Sequence, residues 1–230
     1  VVQFKISASN AGVFDLNTAC AGFSTALDVA WQFIANGQCE NILVVGAYGM
    51  SKFLNMDDHK IATLFADGAG AVIVSRTQTE EPVGVLATRR YADGQFHDYM
   101  GLYAGGTFLP LSQNVLDTKQ HLLNFAKKIP LETNPTHWPR LVKETLDAVG
   151  SNPGEVAKYF FTQINIETIR ESLDRLELPH DKSFNIMDKY GYTGSACIPM
   201  ALSLAAEQGA IKKNDLIVLM GSGGGVSMSC

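Results

Sequence analysis

The chain has 230 residues, of which 46% are hydrophobic and 18% charged, a composition typical of a globular protein with one large domain or two small ones. Its net charge of −5 argues against a nucleic-acid-binding protein, which normally carries a basic face. The sequence contains no apolar run of the roughly 18 residues that a membrane-spanning helix needs, so we expect no membrane partner.

The first predicted elements place a cysteine between a strand and a helix. An alternation of apolar and polar residues at 11–17 favours a strand. Apolar residues then repeat at helical spacing from 23 to 34, and Gly37 is suited to end that helix. Cys20 is thereby predicted in the first turn of the helix, where unpaired N–H groups and the helix dipole favour a thiolate. The alternative is a small, buried and inert cysteine.

Strands and helices alternate along the rest of the chain. Strand patterns are predicted at residues 41–47, 69–75, 83–87, 159–161, 183–186 and 216–220. Helical patterns are predicted at residues 114–128, 138–149, 165–176 and 193–208. This alternation predicts an α/β layered architecture. Because the two halves carry similar strand and glycine-turn patterns, we predict one repeat at 1–110, a helical connection at 111–150 and a second repeat at 151–230.

The cysteines and histidines indicate neither a disulfide framework nor a metal site. Cys20, Cys39, Cys197 and Cys230 show no CxxC or other ligand-like spacing. They are typical of reduced thiols in a cytoplasmic protein. The five histidines are scattered, without an HExxH motif. We therefore expect a cytoplasmic protein without a metal ion.

Three separated motifs are the most specific features of the chain. They are Asp15-Leu-Asn-Thr-Ala-Cys-Ala-Gly-Phe23, Leu64-Phe-Ala-Asp-Gly-Ala-Gly-Ala71 and Asp188-Lys-Tyr-Gly-Tyr-Thr-Gly-Ser-Ala-Cys-Ile-Pro199, with a glycine turn at 223–225 after the last. In this order and spacing they resemble the β-ketoacyl-acyl-carrier-protein synthase III branch of the thiolase superfamily. The resemblance implies a thiolase-like αβαβα layered fold of two repeats. It also implies that the family's N-terminal part is missing here, which leaves the N-terminal repeat incomplete.

The resemblance implies a set of site residues and partners. Cys20 matches the nucleophile that takes an acyl group from a thioester, and the N–H groups of Cys20 and Gly224 match the oxyanion hole. Asn165 matches a residue near the pantetheine arm of the substrate. The implied partners are acyl-CoA and acyl-carrier protein. CoA or phosphopantetheine thioesters are then substrates, and no separate cofactor is expected.

Two positions depart from the family's pattern. Thr162 stands at the family's catalytic histidine position, and Tyr192 stands at its catalytic asparagine position. Threonine cannot act as a general base near neutral pH, and general acid–base catalysis typically contributes about 10²–10⁴-fold in rate. The predicted helix after Asn165 has mixed charges that lean acidic, which disfavours docking of an acidic carrier protein there.

These departures leave two hypotheses. The first is a ketosynthase-III-like acyltransferase of fatty-acid or related secondary-metabolite synthesis, which forms an acyl-enzyme at Cys20 but lacks efficient standard decarboxylative condensation. The alternative is a non-catalytic subunit that pairs with an active homologue. A homodimer and a heterodimer with a homologue both stay open. A hydrolase is disfavoured, because residues 22–26 lack the final glycine of the Gly-x-Ser-x-Gly motif.

Overall fold

The computed structural model describes residues 1–79 and 81–230. Its helices are α1 (Val2–Lys5), α2 (Gly22–Ala35), α3 (His59–Ala62), α4 (Gln113–Asp117), α5 (Thr133–Asp147), α6 (Ile166–Arg175), α7 (Met187–Tyr190) and α8 (Cys197–Glu207). Its strands are β1 (Asn41–Tyr48), β2 (Gly68–Ser75), β3 (Arg90–Ala92), β4 (Met100–Gly101), β5 (Asn124–Phe125), β6 (Lys158–Phe161), β7 (Ile217–Gly223) and β8 (Ser227–Ser229). Among the described residues, no helix has both the length and the apolar character needed to cross a bilayer.

The described residues form a small β4–β5 pair and two larger sheets that carry the fold, with helices between these two and on one outer face. β1 and β2 form an antiparallel pair, and the other sheet has the order β3-β8-β7-β6, in which β6 and β7 are parallel. α2 contacts β1, β2 and β7, while α8 contacts β2 and β6, so both helices lie between the sheets. α5 contacts α6 and β7. This layering confirms the α/β architecture predicted from the sequence.

Two apolar clusters fill the layers on either side of the four-stranded sheet. The cluster between the sheets contains Phe23 and Phe160, together with Cys20. The other cluster, beneath α5 and α6, contains Trp138 and Phe161. Neighbouring residues of β6 thus enter different clusters, as the two-residue period of a strand requires. The sheet therefore separates the face that holds Cys20 from the face that holds α5.

Glycines allow the segment around the start of α8 to approach the β1–β2 pair closely. Gly46 and Gly70 are partners in the register of the two strands. A methyl group on Gly46 would lie 2.6 Å from the carbonyl oxygen of Ser195, and one on Gly70 would lie 2.8 Å from the amide nitrogen of Met200. Because these distances are too short for atoms in contact, a side chain at either position would force the helix away from the strands.

Gly70→Ala is expected to lower the free energy of unfolding by about 1–3 kcal/mol, because an extra methyl group in a filled site forces the backbone to shift. Denaturant-induced unfolding measures the change. Gly94→Ala is the matched control, since an added methyl group there meets no atom within 4 Å. Equal stability of the two variants would contradict this packing.

The longest predicted elements are confirmed. The predicted strands at 41–47, 69–75, 159–161 and 216–220 correspond to β1, β2, β6 and β7, and the predicted helices at 23–34, 165–176 and 193–208 correspond to α2, α6 and α8. Gly37, with a φ of +71°, follows the end of α2 as predicted. The division into 1–110, 111–150 and 151–230 stays a prediction.

The predictions of strands at 11–17, 83–87 and 183–186 are wrong. Ser183 makes only an isolated bridge to Tyr159, and no described residue forms a ladder with the other two segments. Alternation of apolar residues is not sufficient for a strand, because its N–H and C=O groups also need a partner strand. The short strands β3 and β8, which pair with each other, were missed.

The two helices predicted within 114–149 have different bounds. α4 ends after five residues, and the chain turns soon afterwards at Lys119, whose φ is +56°. α5 begins at Thr133 and continues through Pro135 and Pro139. Pro135 is tolerated because the N–H groups of a helix's first turn have no helical partner. Both prolines therefore lie inside the helix.

Candidate active site

Cys20 lies in a tight turn immediately before α2. Ala19 has a φ of +49°, in the left-handed region, and its N–H donates to Oδ1 of Asn17 at 2.8 Å. Ala21 is the N-cap of α2, so Cys20 precedes the helix, and the prediction that it lies in the first turn is wrong. The left-handed residue interrupts helical geometry at this point. Cys20 is only 7% exposed.

Gly223 and Gly224 bring the end of β7 against this turn. A methyl group on Gly223 would lie 2.6 Å from the carbonyl oxygen of Thr18 and 2.7 Å from the amide nitrogen of Cys20, so only glycine permits the approach. The N–H groups of Gly224 and of Cys20 itself lie beside the Cys20 sulfur and act to lower the pKa of its thiol. The structure therefore brings together the two backbone donors that the resemblance assigned to the oxyanion hole.

Tyr192 supplies a side-chain donor to the same sulfur. Its hydroxyl group donates to the Cys20 sulfur. Its ring packs against Phe65 and Tyr48, with ring centroids 5.5 Å and 6.4 Å away. Burial raises the pKa of Tyr192 well above its usual value, so the hydroxyl keeps its proton and remains a donor.

Burial raises the pKa of the Cys20 thiol, and the hydrogen bonds from Tyr192, Cys20 and Gly224 offset that rise only in part. The expectation that the helix dipole favours a thiolate is therefore wrong. The free-energy cost of removing a thiolate from water exceeds the stabilisation that the hydrogen-bond donors provide. Cys20 also lies outside the helix, where the dipole has less effect. The resting form near neutral pH is the thiol.

Tyr192→Phe is expected to slow alkylation of Cys20 by iodoacetamide at neutral pH by about tenfold or more. The variant loses a hydrogen bond to a charged acceptor, worth about 1.5–3 kcal/mol, and one pKa unit corresponds to about 1.4 kcal/mol. The rate is read at the Cys20 peptide by mass spectrometry. Tyr190→Phe is the control, because Tyr190 is 44% exposed. If both variants react as fast as the unaltered protein, the Tyr192 bond does not act on Cys20.

Thr162 makes hydrogen bonds to the backbone of β7, the strand that leads into the glycine turn. It follows β6 and is 1% exposed. Its Oγ1 accepts the N–H of Ser222 at 2.8 Å, and its own N–H donates to the carbonyl of Met220 at 3.0 Å. The group at the family's histidine position thus holds β7, the strand that ends at Gly223.

Asn165 is the N-cap of α6. Its Oδ1 accepts the N–H of Glu167 at 2.9 Å, which satisfies one of the free donors of the helix's first turn. The mixed charges of α6 pair within the helix, as between Arg170 and Glu167 at 2.7 Å. Contact of Asn165 with a pantetheine arm stays a prediction.

Several polar residues near the site were missed by sequence reasoning. Gln163 is fully buried, donates to the carbonyl of Phe184 at 3.0 Å and accepts the N–H of Ile186 at 2.7 Å. The hydroxyl of Ser222 donates to Oδ1 of Asn134 at 2.9 Å. The only signal for Ser222 in the sequence is its place directly before the glycine run, and Asn134 has none.

A cavity of about 490 Å³ opens beside the core that contains Cys20. Ile61 and Leu123 line the cavity and also belong to the apolar cluster of Cys20. Asn55, Asp58 and Lys119 give it a polar rim. In the part of the chain that the structure describes, no three His, Cys, Asp or Glu side chains are grouped as a metal site would require.

Known proteins resemble the chain in sequence and in structure. Family models of 3-oxoacyl-[acyl-carrier-protein (ACP)] synthase III and of its C-terminal part match residues 14–94 and 146–230. The β-ketoacyl-[acyl-carrier-protein] synthase III of Clostridioides difficile is 36% identical over 227 residues, which cover 99% of this chain and 68% of the relative.

Solved structures give the same result. The crystal structure of 3-oxoacyl-[acyl-carrier-protein] synthase III from Aquifex aeolicus has a TM-score of 0.86 at 32% identity and covers 99% of this chain and 68% of that one. The corresponding enzyme from Pseudomonas aeruginosa has a TM-score of 0.89 at 26% identity, with coverage of 99% and 69%. This likeness confirms the predicted thiolase-like α/β fold.

Proposed function

This chain belongs to the 3-oxoacyl-[acyl-carrier-protein] synthase III family, and from that premise we propose that it transfers acyl groups between thioesters through Cys20. The proposal places it in fatty-acid or related secondary-metabolite synthesis. The observation that carries it is the close approach of the glycine turn to Cys20, where a methyl group on Gly223 would lie 2.7 Å from the Cys20 amide nitrogen, together with hydrogen bonding from Tyr192 and Gly224 that lowers the pKa of the Cys20 thiol. The free thiols of Cys20, Cys39, Cys197 and Cys230 support a cytoplasmic location.

In the first step, the Cys20 sulfur attacks the carbonyl carbon of an acyl thioester. A new carbon–sulfur bond forms, the bond to the leaving thiol breaks, and the thiol proton of Cys20 ends on the departing sulfur. The N–H groups of Cys20 and Gly224 stabilise the oxygen that gains negative charge. Removal of one such donor typically costs about 10²–10³-fold in rate. The Tyr192 hydroxyl stabilises the thiolate before attack.

Standard decarboxylative condensation needs groups that this site lacks. Thr162 has no basic nitrogen, and its Oγ1 already accepts the N–H of Ser222. The Tyr192 ring stands at the family's asparagine position, packed against Phe65. We therefore propose that the acyl group passes from Cys20 to a second thiol, with acyl-CoA and acyl-carrier protein as the two thioester partners.

The test compares the two half-reactions in the full chain. The protein is incubated with an acyl-CoA and followed by intact-mass spectrometry, and release of CO2 is then measured after addition of a malonyl thioester. We expect an acyl-enzyme, with condensation about 10²-fold or more below that of a relative that has the histidine and asparagine. Absence of the acyl-enzyme would overturn the proposal, and fast condensation would overturn the interpretation of Thr162 and Tyr192.

Acylation is expected to accelerate as the pH rises from neutral. Because burial raises the pKa of Cys20, the reactive thiolate is a minor form below that pKa, and its fraction grows about tenfold per pH unit. No histidine is predicted at the site to add a second ionisation. Release of CoA in single-turnover experiments over a pH series measures the profile. A plateau already reached near neutral pH would show that the pKa of Cys20 is not raised.

A second candidate function is a non-catalytic subunit paired with an active homologue. The deep burial of Cys20 and the replacement of both partner groups by Thr162 and Tyr192 favour it. Purification of the native protein from its own cells tests this candidate. A homologue in equal amount would favour a heterodimer, whereas a homodimer that forms the acyl-enzyme would exclude a purely supporting role.

A further inference from the structure

Two hydrogen bonds hold Ser222, the residue directly before the glycine turn. The Ser222 hydroxyl donates to Oδ1 of Asn134 at 2.9 Å, and the Ser222 N–H donates to Oγ1 of Thr162 at 2.8 Å. Ser222 is 8% exposed. It shares the face of β7 with Met220, which belongs to the apolar cluster beneath α5. Ser222 is thus held from α5 and from the end of β6.

The residues that follow Ser222 form the other side of the site. Gly223 packs against the amide nitrogen of Cys20, and the N–H of Gly224 donates to the Cys20 sulfur. A displacement of Ser222 is therefore expected to move the Gly224 N–H, because only one residue separates the two. Such donors must stay within about 0.5 Å of their working position to be effective.

The position of Asn134 in α5 does not account for the hydrogen bond that its side chain makes. It lies in the first turn of α5, where asparagine normally caps the helix, but the N-cap of α5 is Glu132 and no side chain caps the helix. The oxygen of Asn134 is instead directed to Ser222. Its partner lies 88 residues away in the chain and directly before the glycine turn.

We propose that Asn134 is a positioning residue for acyl transfer, which acts through Ser222 to hold the Gly224 N–H at Cys20. This role rests on the proposed function of Cys20 as the nucleophile. Thr162 holds the same residue from the other side. The group at the family's histidine position then contributes to placing the oxyanion hole and moves no proton.

The first measurement is the single-turnover rate of acylation for Asn134→Ala, Ser222→Ala and the double variant. Each is expected to be about 10–100-fold slower than the unaltered protein, with unchanged affinity for acyl-CoA. Because the two residues act as one unit, the double variant should be no slower than either single variant. Ser222→Thr keeps a hydroxyl group and should be faster than Ser222→Ala. Multiplicative losses in the double variant would overturn the proposal.

The second measurement needs no acyl substrate and so separates this proposal from the proposed function. The pH dependence of Cys20 alkylation by iodoacetamide reports how strongly its thiolate is stabilised. The other titratable groups that face Cys20 are Tyr48, Tyr192 and Cys197, and the variants leave them in place. We expect a higher apparent pKa of Cys20 in Asn134→Ala and Ser222→Ala.

Thr136→Ala, on the exposed side of α5, is the control and should match the unaltered protein. An unchanged Cys20 profile in both Asn134→Ala and Ser222→Ala would overturn the positioning role, whether or not the protein is acylated. A raised profile in a protein that accepts no acyl group would uphold the positioning of Gly224 and refute acyl transfer. If Asn134→Ala fails to fold, the comparison of Ser222→Ala with Ser222→Thr decides the question.

Discussion

Cys20→Ala is expected to lower the rate of acyl transfer by about 10³-fold or more, because removal of a nucleophile eliminates the covalent route. Cys197 cannot replace it, since burial raises the pKa of Cys197 to about 12 and leaves almost no thiolate. The change removes one small buried atom and should leave the fold intact. Single-turnover release of CoA from an acyl-CoA measures the rate.

Cys39→Ala is the matched control for this prediction. Cys39 is an exposed free thiol that could exchange with thioesters without any site around it. We expect this variant to keep the full rate. If Cys20→Ala transfers acyl groups as fast as the unaltered protein while Cys39→Ala does not, the activity belongs to a surface thiol and the site described here is not catalytic.

Gly223→Ala is expected to reduce acyl transfer by about 10²-fold, because displacement of a reacting group by about 1 Å has an effect of this size. The new methyl group would lie 2.6 Å from the carbonyl oxygen of Thr18, so either β7 or the Cys20 turn must move. We also expect a loss of about 1–3 kcal/mol in the free energy of unfolding. Both quantities are measured on the same preparation.

Gly224→Ala provides a sharper comparison than a distant control. A methyl group there would meet only the end of the Met100 side chain, which is flexible and can turn away. We therefore expect Gly224→Ala to be milder than Gly223→Ala in both rate and stability. The reverse order, or full activity of Gly223→Ala, would contradict the close approach of the two turns.

The sequence predicted those parts of the fold in which local pattern and long-range packing agree. Helix α2 has apolar residues at helical spacing and a glycine after its end, and both signals are local. By contrast, residues 83–87 have a strand pattern but no partner strand among the residues that the structure describes, while the short strand β3 forms because β8 lies beside it. Whether a short apolar segment becomes a strand depends on a neighbour that is distant in sequence.

The same distinction applies to the site. Cys20, Tyr192 and Gly224 were predicted because each lies in a motif, and the structure brings the three residues together. The direction of the Cys20 pKa was predicted wrongly, because burial is a property of the whole fold and outweighs the local helix dipole. Asn134 could not be predicted, since it is linked to the site by a hydrogen bond across 88 residues of chain.

The most direct measurement is the location of the acyl group after the full chain has been incubated with an acyl-CoA. Proteolysis and tandem mass spectrometry of the acylated protein identify the modified residue. We expect a single acyl group, attached as a thioester to the peptide that contains Cys20. A protein that remains unmodified, or that carries its acyl group only at Cys39, would contradict acyl transfer through Cys20.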